Sequence, residues 1–92
     1  MLQRPTPNDP LALALAALAA TLGSERLAQR FIELTGIGTE ELRARADDPA
    51  LLAGLLRFLE AHEPDLLAVA KEVGIGPELL VEARRELEEG KA

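Results

Sequence analysis

His62 is the only histidine in the 92-residue chain, and Glu60 and Glu63 lie beside it. These residue types serve both acid–base catalysis and zinc ligation. A metal site draws three or four converging ligands and a general base needs a positioned partner, whereas neighbours this close in sequence cannot all face one point from a single helix. His62 therefore reads as a polar residue near the end of a helix, favourable to the helix dipole when protonated. The other carboxylates form no dyad, and Asp47-Asp48-Pro49 lacks the alternating oxygen ligands and distal glutamate of a calcium loop. Ser24, the sole serine, has no nucleophile-elbow context and reads as a helix cap. With no cysteine there is no thiolate, disulfide framework or cysteine metal site. A phosphate-cradling loop and a dinucleotide fingerprint are absent too. No catalytic, metal-ligating or cofactor-binding residue is expected, and no cofactor.

The most specific local features are two glycine turns. F-I-E-L-T-G-I-G-T-E-E-L and V-A-K-E-V-G-I-G-P-E-L-L resemble the helix-hairpin-helix motif, with Gly36, Gly38, Gly74 and Gly76 as the residues that would present backbone N–H groups to a phosphate. Glu40, Glu41 and Glu78 stand in the first turns of the helices that would face that phosphate, and they repel a second anion. The simpler reading makes each first glycine a helix terminator, each isoleucine (Ile37, Ile75) a core plug, and each second glycine a tight connection. Whole-chain charge agrees: ten basic residues against sixteen acidic give −6, and phosphate binding draws its affinity from Lys and Arg. Only Phe31 and Phe58 carry rings for base stacking.

Proline and glycine mark the elements that must carry these residues. Asp9-Pro10 and Asp48-Pro49 each place a capping carboxylate before a proline suited to a first helical turn, and Glu63-Pro64 and Gly76-Pro77 repeat the pattern with weaker caps. Ser24 and Thr39 offer further caps, while Gly23, Gly36, Gly74 and Gly90 fall where a helix ends in a left-handed residue. Six helices follow, at 10–22, 24–35, 39–46, 49–62, 64–73 and 77–89, with no credible strand. The expected fold is an all-α, irregular or orthogonal bundle of five or six short helices in one domain spanning 10–89, with flexible segments at 1–9 and 90–92. Aligning Gly36-Ile37-Gly38 on Gly74-Ile75-Gly76 brings Glu40 onto Glu78 and Leu42 onto Leu80, so the halves read as two pseudo-repeats of three helices.

Leu11, Leu15, Leu18 and Leu22 form one stripe on the first helix, and alanines cover the rest of it. A helix apolar on every side wants a central position. The twelve residues Leu11–Leu22 resemble a signal-peptide core in length, but only Arg4 precedes them as a positive charge, Asp9 and Pro10 abut them, and a span needs about twenty residues. The expected core is Leu11, Leu15, Leu18, Phe31, Leu34, Ile37, Leu42, Leu52, Leu55, Leu56, Leu59, Leu66, Val73, Ile75, Leu80 and Leu87. Leu13, Leu51, Leu67 and Leu79 depart from the main stripe of their own helices and are candidates for an exposed patch. On the last helix, Glu82 with Glu86 and Arg84 with Glu88 read as a solvated face.

From F-I-E-L-T-G-I-G-T-E-E-L-R-A-R-A-D-D-P-A-L-L through L-R-F-L-E-A-H-E-P-D-L-L, the sequence resembles a family of small uncharacterised proteins found mainly in alphaproteobacteria. Its pattern is an apolar first helix, F-x-x-L-T-G, a D/E-L-R segment, an acid-Pro helix start, paired leucines after an acid, and a closing G-[IL]-x-P-E. The resemblance runs from Pro10 to about Leu87 and implies an all-helical domain with no functional residues to carry over. The excess of Arg over Lys, with abundant Ala, Leu and Gly, suits a G/C-rich bacterial coding sequence.

Function is then expected to be a non-enzymatic protein-interaction module, cytoplasmic, with an unknown protein partner, no membrane and a monomer by default. The alternative is a degenerate helix-hairpin-helix-like nucleic-acid binder using the two G-I-G turns. A small enzyme would need a concave polar pocket around His62 or around Arg43 and Arg45.

Overall fold

The computed structural model describes residues 9–90. The flexible segments expected at 1–9 and 90–92 lie, apart from Asp9 and Gly90, outside the described residues. Six helices follow one another: α1 (Pro10–Leu22), α2 (Glu25–Thr35), α3 (Thr39–Ala44), α4 (Pro49–Glu60), α5 (Glu63–Val73) and α6 (Pro77–Glu88). No strand occurs among the described residues.

The helix starts follow from the capping chemistry. Asp9 Oδ1 accepts from the Ala12 N–H at 3.1 Å, Ser24 Oγ from Leu27 at 3.3 Å and Asp48 Oδ1 from Ala50 at 2.9 Å. Each bond satisfies a donor that the first helical turn leaves unpaired. Two expected ends differ. Thr39 lies inside α3 and Gly38 is its cap, without a side-chain bond. Gly23 is right-handed at φ −77°, because the end of α1 closes through Gly23 N–H to Ala19 and Ser24 N–H to Thr21 before the chain turns at extended Ser24. The axes of α1 and α2 differ by 106° across that break.

At the G-I-G turns the first glycine is left-handed in both, Gly36 at φ 73° and Gly74 at φ 90°, and the second is an extended cap, Gly38 at φ −76° and Gly76 at φ −74°. Thr35 steadies the first turn: its hydroxyl donates to Phe31 O at 2.8 Å and accepts from the Ile37 N–H at 3.2 Å. The local likeness does not extend to packing. α3 has six residues against twelve in α6, and α6 packs broadly on α1 and α4 while α3 packs broadly on neither. The two halves are not packed as symmetric repeats.

The centre is the mutual packing of α1, α4 and α6, with α5 laid across all three and α2 resting on α1. α4 supplies Leu52, Leu55, Leu56 and Leu59, each fully buried, to which α3 adds Leu42 and α6 adds Leu80. Burying each leucine contributes roughly 1.5–3 kcal/mol over leaving it in water. Phe31 meets Phe58 edge-to-face with centroids 5.1 Å apart, pinning α2 to α4.

The first helix is turned differently from its leucine stripe. Its buried face is Pro10, Leu13, Ala14, Ala17, Leu18 and Thr21, a regular i, i+3, i+4 ladder, while Leu11, Leu15 and Leu22 are only half-buried. Alanines at 14 and 17 let the backbones of α4 and α6 approach closely, which a leucine row would prevent. Thr21 is accommodated because its hydroxyl donates to Ala17 O at 2.8 Å. Of the remaining expected core, Leu34 is 70% exposed because the final turn of α2 overhangs its support, and Ile37, Val73 and Ile75 are half-buried. Leu27, Val69 and the alanines Ala53, Ala70 and Ala83, outside the expected core set, are buried as well.

Candidate functional site

Polar chemistry concentrates at Asp65. Asp65 stands in the first turn of α5, yet its side chain is turned inward and 1% exposed. Arg26 and Arg30, one turn apart on α2, reach it across the interface: Arg26 Nη2 donates to Oδ1 at 2.9 Å and Arg30 Nη1 to Oδ2. His62 Nδ1 lies 2.9 Å from the same Oδ2, so His62 belongs to α5 as its cap residue rather than to the end of α4. Arg30 also lies over the Phe58 ring, 5.2 Å from its centroid. Burial pushes the Asp65 carboxyl up, but the hydrogen bonds from Arg26, His62 and Arg30 together outweigh it and hold the group at about 2.

That arrangement joins helices and leaves little for a reaction. A carboxylate with three donors, out of contact with water and held at about 2, is a weak base with no face open to a substrate. Among the described residues, no three His, Cys, Asp or Glu side chains converge as a metal site. The sequence held one signal for the cluster: two arginines at i and i+4 on an otherwise half-apolar helix, Arg26 and Arg30, need a carboxylate from another element.

A second ionic set ties α4 to α6. Arg84 grips Glu60 with Nε at 2.7 Å and Nη2 at 3.1 Å, and its Nη1 donates to Glu88 at 2.9 Å. Arg57 from α4 holds the same Glu88 through Nε and Nη2. The expected i, i+4 pair Arg84–Glu88 forms, but Arg84 is 14% exposed, so this part of α6 is an interface and not a solvated face. Arg45 bonds Glu41 and Asp48 at the corner between α3 and α4. It borders a depression of ≈ 250 Å³ whose other walls are mainly apolar, including Phe31, Ile37 and Leu51, while Arg43 is exposed. His62 does not line this depression.

The four turn glycines are separated into two sites. Gly36 and Gly38 precede a six-residue helix; Gly74 and Gly76 precede α6. The Glu78 carboxylate folds back over the Gly76 α-carbon, where a side chain at 76 would stand. An acid thus already occupies the neighbourhood of the α6 N-terminus.

The leucines expected at the surface divide. Leu13 at 1% and Leu51 at 6% exposure are core residues, because the packed faces of α1 and α4 are wider than one stripe. Leu79 is half-buried against the core, and Leu67 on α5 is 48% exposed. α5 and α1, with the start of α2, form the walls of a two-lobed groove. One lobe, ≈ 360 Å³, is lined by Ala19, Ala20, Arg26, Leu27, Ala68 and Val69 among others. The other, ≈ 350 Å³, is lined by Ala16, Ala19, Ala20, Glu72 and Val73, and Glu72 borders both.

A family model described as "Protein of unknown function (DUF3572)" matches residues 7–90, nearly the whole chain. The chain belongs to DUF3572. No curated protein and no solved structure matches it. Membership of an uncharacterised family, expected from the caps and core positions, is therefore shown, and DUF3572 is represented here by an all-helical bundle. Among the described residues of this DUF3572 chain, no single helix is long and apolar enough to cross a membrane.

Proposed function

We propose that this DUF3572 chain is a small, non-enzymatic protein-interaction module of the bacterial cytoplasm that binds another protein through the outer face of α1 and the groove it shares with α5. The observation that carries the proposal is an uncovered apolar helix face. From Pro10 to Leu22 the helix has no charged residue, yet it buries one side only. Ala19 is exposed, Ala12 and Ala16 are half-buried, and Leu15 and Ala20, also half-buried, pack in part against the core. A helix that is apolar all round is normally covered all round, so the open side is where another molecule belongs. Exposed Ala68 on α5, which lines the groove, extends the same surface.

The charged residues support a role without catalysis, since Arg26, Arg30, Arg45, Arg57 and Arg84 are each engaged with a carboxylate of the same chain. Those pairs also weaken the nucleic-acid reading, as does Glu78 over Gly76. The similar shapes of the two G-I-G turns are all that favours it.

Placing a photo-reactive amino acid at position 19, and in a second variant at exposed position 82, tests the proposal in the native cell. A discrete protein adduct from position 19 that is missing from position 82 is expected. No adduct at 19 beyond that at 82 refutes the surface.

A further inference from the structure

We infer that α2 and α3, residues 25–46, form a strap that opens as one unit while α1, α4, α5 and α6 stay packed, and that Asp65 is its latch. The strap is lightly held for its length. α2 buries Leu27 and Phe31 out of eleven residues and α3 buries Leu42 out of six, whereas the twelve residues of α4 bury Leu51, Leu52, Ala53, Leu55, Leu56 and Leu59. Each of α1, α4, α5 and α6 packs broadly on the other three, while α2 packs broadly on α1 alone and α3 on no helix. A segment with few buried side chains and one main neighbour opens at lower cost than the body it rests on.

Packing is incomplete beneath both ends of α2. Its start, with Arg26 and Leu27, borders the lobe of ≈ 360 Å³ shared with α1 and α5. Its end, with Phe31 and Thr35, borders the depression of ≈ 250 Å³ over Ala50, Leu51 and Gly54 of α4. Side chains facing such space forgo the dispersion contacts of a closed interface. Both ends of the strap are also corners. α1 and α2 meet at 106° across Gly23 and Ser24, and the turn after α3 leads to Asp48, which caps α4 and stays with it.

The polar tie from strap to body is concentrated. Arg26 and Arg30 cross to α5, and both end on Asp65, whereas the pairs Gln29–Glu33, Arg45–Glu41 and Arg45–Asp48 stay local. Both crossing arginines already stand partly in water, so on release they need little new hydration, and the buried carboxylate regains its own. Opening bares Phe58, the edge-to-face partner of Phe31, and removes the Arg26 and Leu27 wall of the larger lobe.

Native-state hydrogen exchange of the full chain, followed residue by residue through low urea concentrations, tests the inference. The amides of Phe31, Ile32 and Leu42 are expected to share one opening constant, at least about tenfold larger than that of the slowest amides of α4 and α6. Their urea dependence is expected to be weaker, because less surface is exposed than in global unfolding. One constant and one urea slope for all six helices overturns the strap, and so does a Phe31 amide that follows α4 while Leu42 alone exchanges early. Asp65→Asn is expected to speed the Phe31 and Leu42 amides by about thirtyfold or more, and Arg26→Gln, at a mostly exposed side chain, by roughly fivefold. If either variant speeds the slowest α4 amides and leaves those of α2 and α3 unchanged, the strap opens with its ion pairs intact and Asp65 is not the latch.

Discussion

Leu55→Ala is expected to destabilise the fold by about 2–5 kcal/mol, the range for deleting a buried leucine side chain and leaving its cavity. Leu55 is 0% exposed and lies on the face of α4 that includes Leu52, Leu56 and Leu59, all 0% exposed. These helices are held by caps and close-packed leucines, so neighbours cannot collapse freely into the space. For a domain of this size each kcal/mol moves the melting temperature by roughly 4–8 °C, which makes the loss plain in a thermal scan and in urea titration. Leu34→Ala is the control: it too is a stripe leucine, but at 70% exposure it is expected to change stability by less than about 0.5 kcal/mol. A loss below about 1 kcal/mol for Leu55→Ala would remove α4 from the centre of the core.

Asp65→Asn is expected to cost about 2–3 kcal/mol near neutral pH, below the 3–5 kcal/mol typical of breaking a fully buried pair. The reduction follows from the arginines, since Arg26 is 62% and Arg30 36% exposed and both turn to water when the carboxylate is gone. The same group sets a pH signature. Its folded value of about 2 lies below the ordinary 3.8, so the ionised carboxylate stabilises the fold fully above about pH 4. That stability, on the order of 1–2 kcal/mol after screening, is lost as pH falls from 4 towards 2. Glu88 and Asp48 are lowered as well, chiefly by hydrogen bonds from Arg57 and Arg45, and lose stability in the same direction. Urea midpoints measured from pH 6 down to pH 2 therefore fall for the wild type and fall less steeply for Asp65→Asn. Parallel curves would show that Asp65 is not held by these donors.

Local rules made most of the fold readable. Asp9-Pro10, Asp48-Pro49 and Gly36 or Gly74 mark ends by short-range chemistry, and α4 shows its face because its leucines stand against Gly54, Arg57 and Glu60. On α1 the pattern fails for a physical reason: with leucine and alanine all round there is no polar side to orient the helix. Which face is buried is then decided by how closely neighbouring backbones approach, which favours Ala14 and Ala17 over Leu11 and Leu15. Leu34 misleads in the opposite way, having the right spacing in a turn that nothing covers.

The ionic cluster was hidden by distance along the chain. Asp65 and its arginine partners are 39 and 35 residues apart, and Asp65 alone looks like any acid at a helix start. Its role appears only once α5 is laid against α2. Arg84 was misread similarly, since Glu88 is visible four residues away while Glu60 is not. Tertiary ion pairs connect elements whose relative placement no local pattern supplies.

This chain's patterned residues hold its helices together, and the side of α1 around Ala19, with Ala68 on α5, is left exposed. Methyl-resolved NMR of alanine-labelled free protein, with a soluble paramagnetic agent, tests it most directly. Strong relaxation of the Ala19 and Ala68 methyls, with Ala14 and Ala17 shielded at 0% exposure, is the expected result. Ala19 and Ala68 shielded as well as Ala14 and Ala17 would mean that the chain already covers this surface itself and leaves no face for a partner.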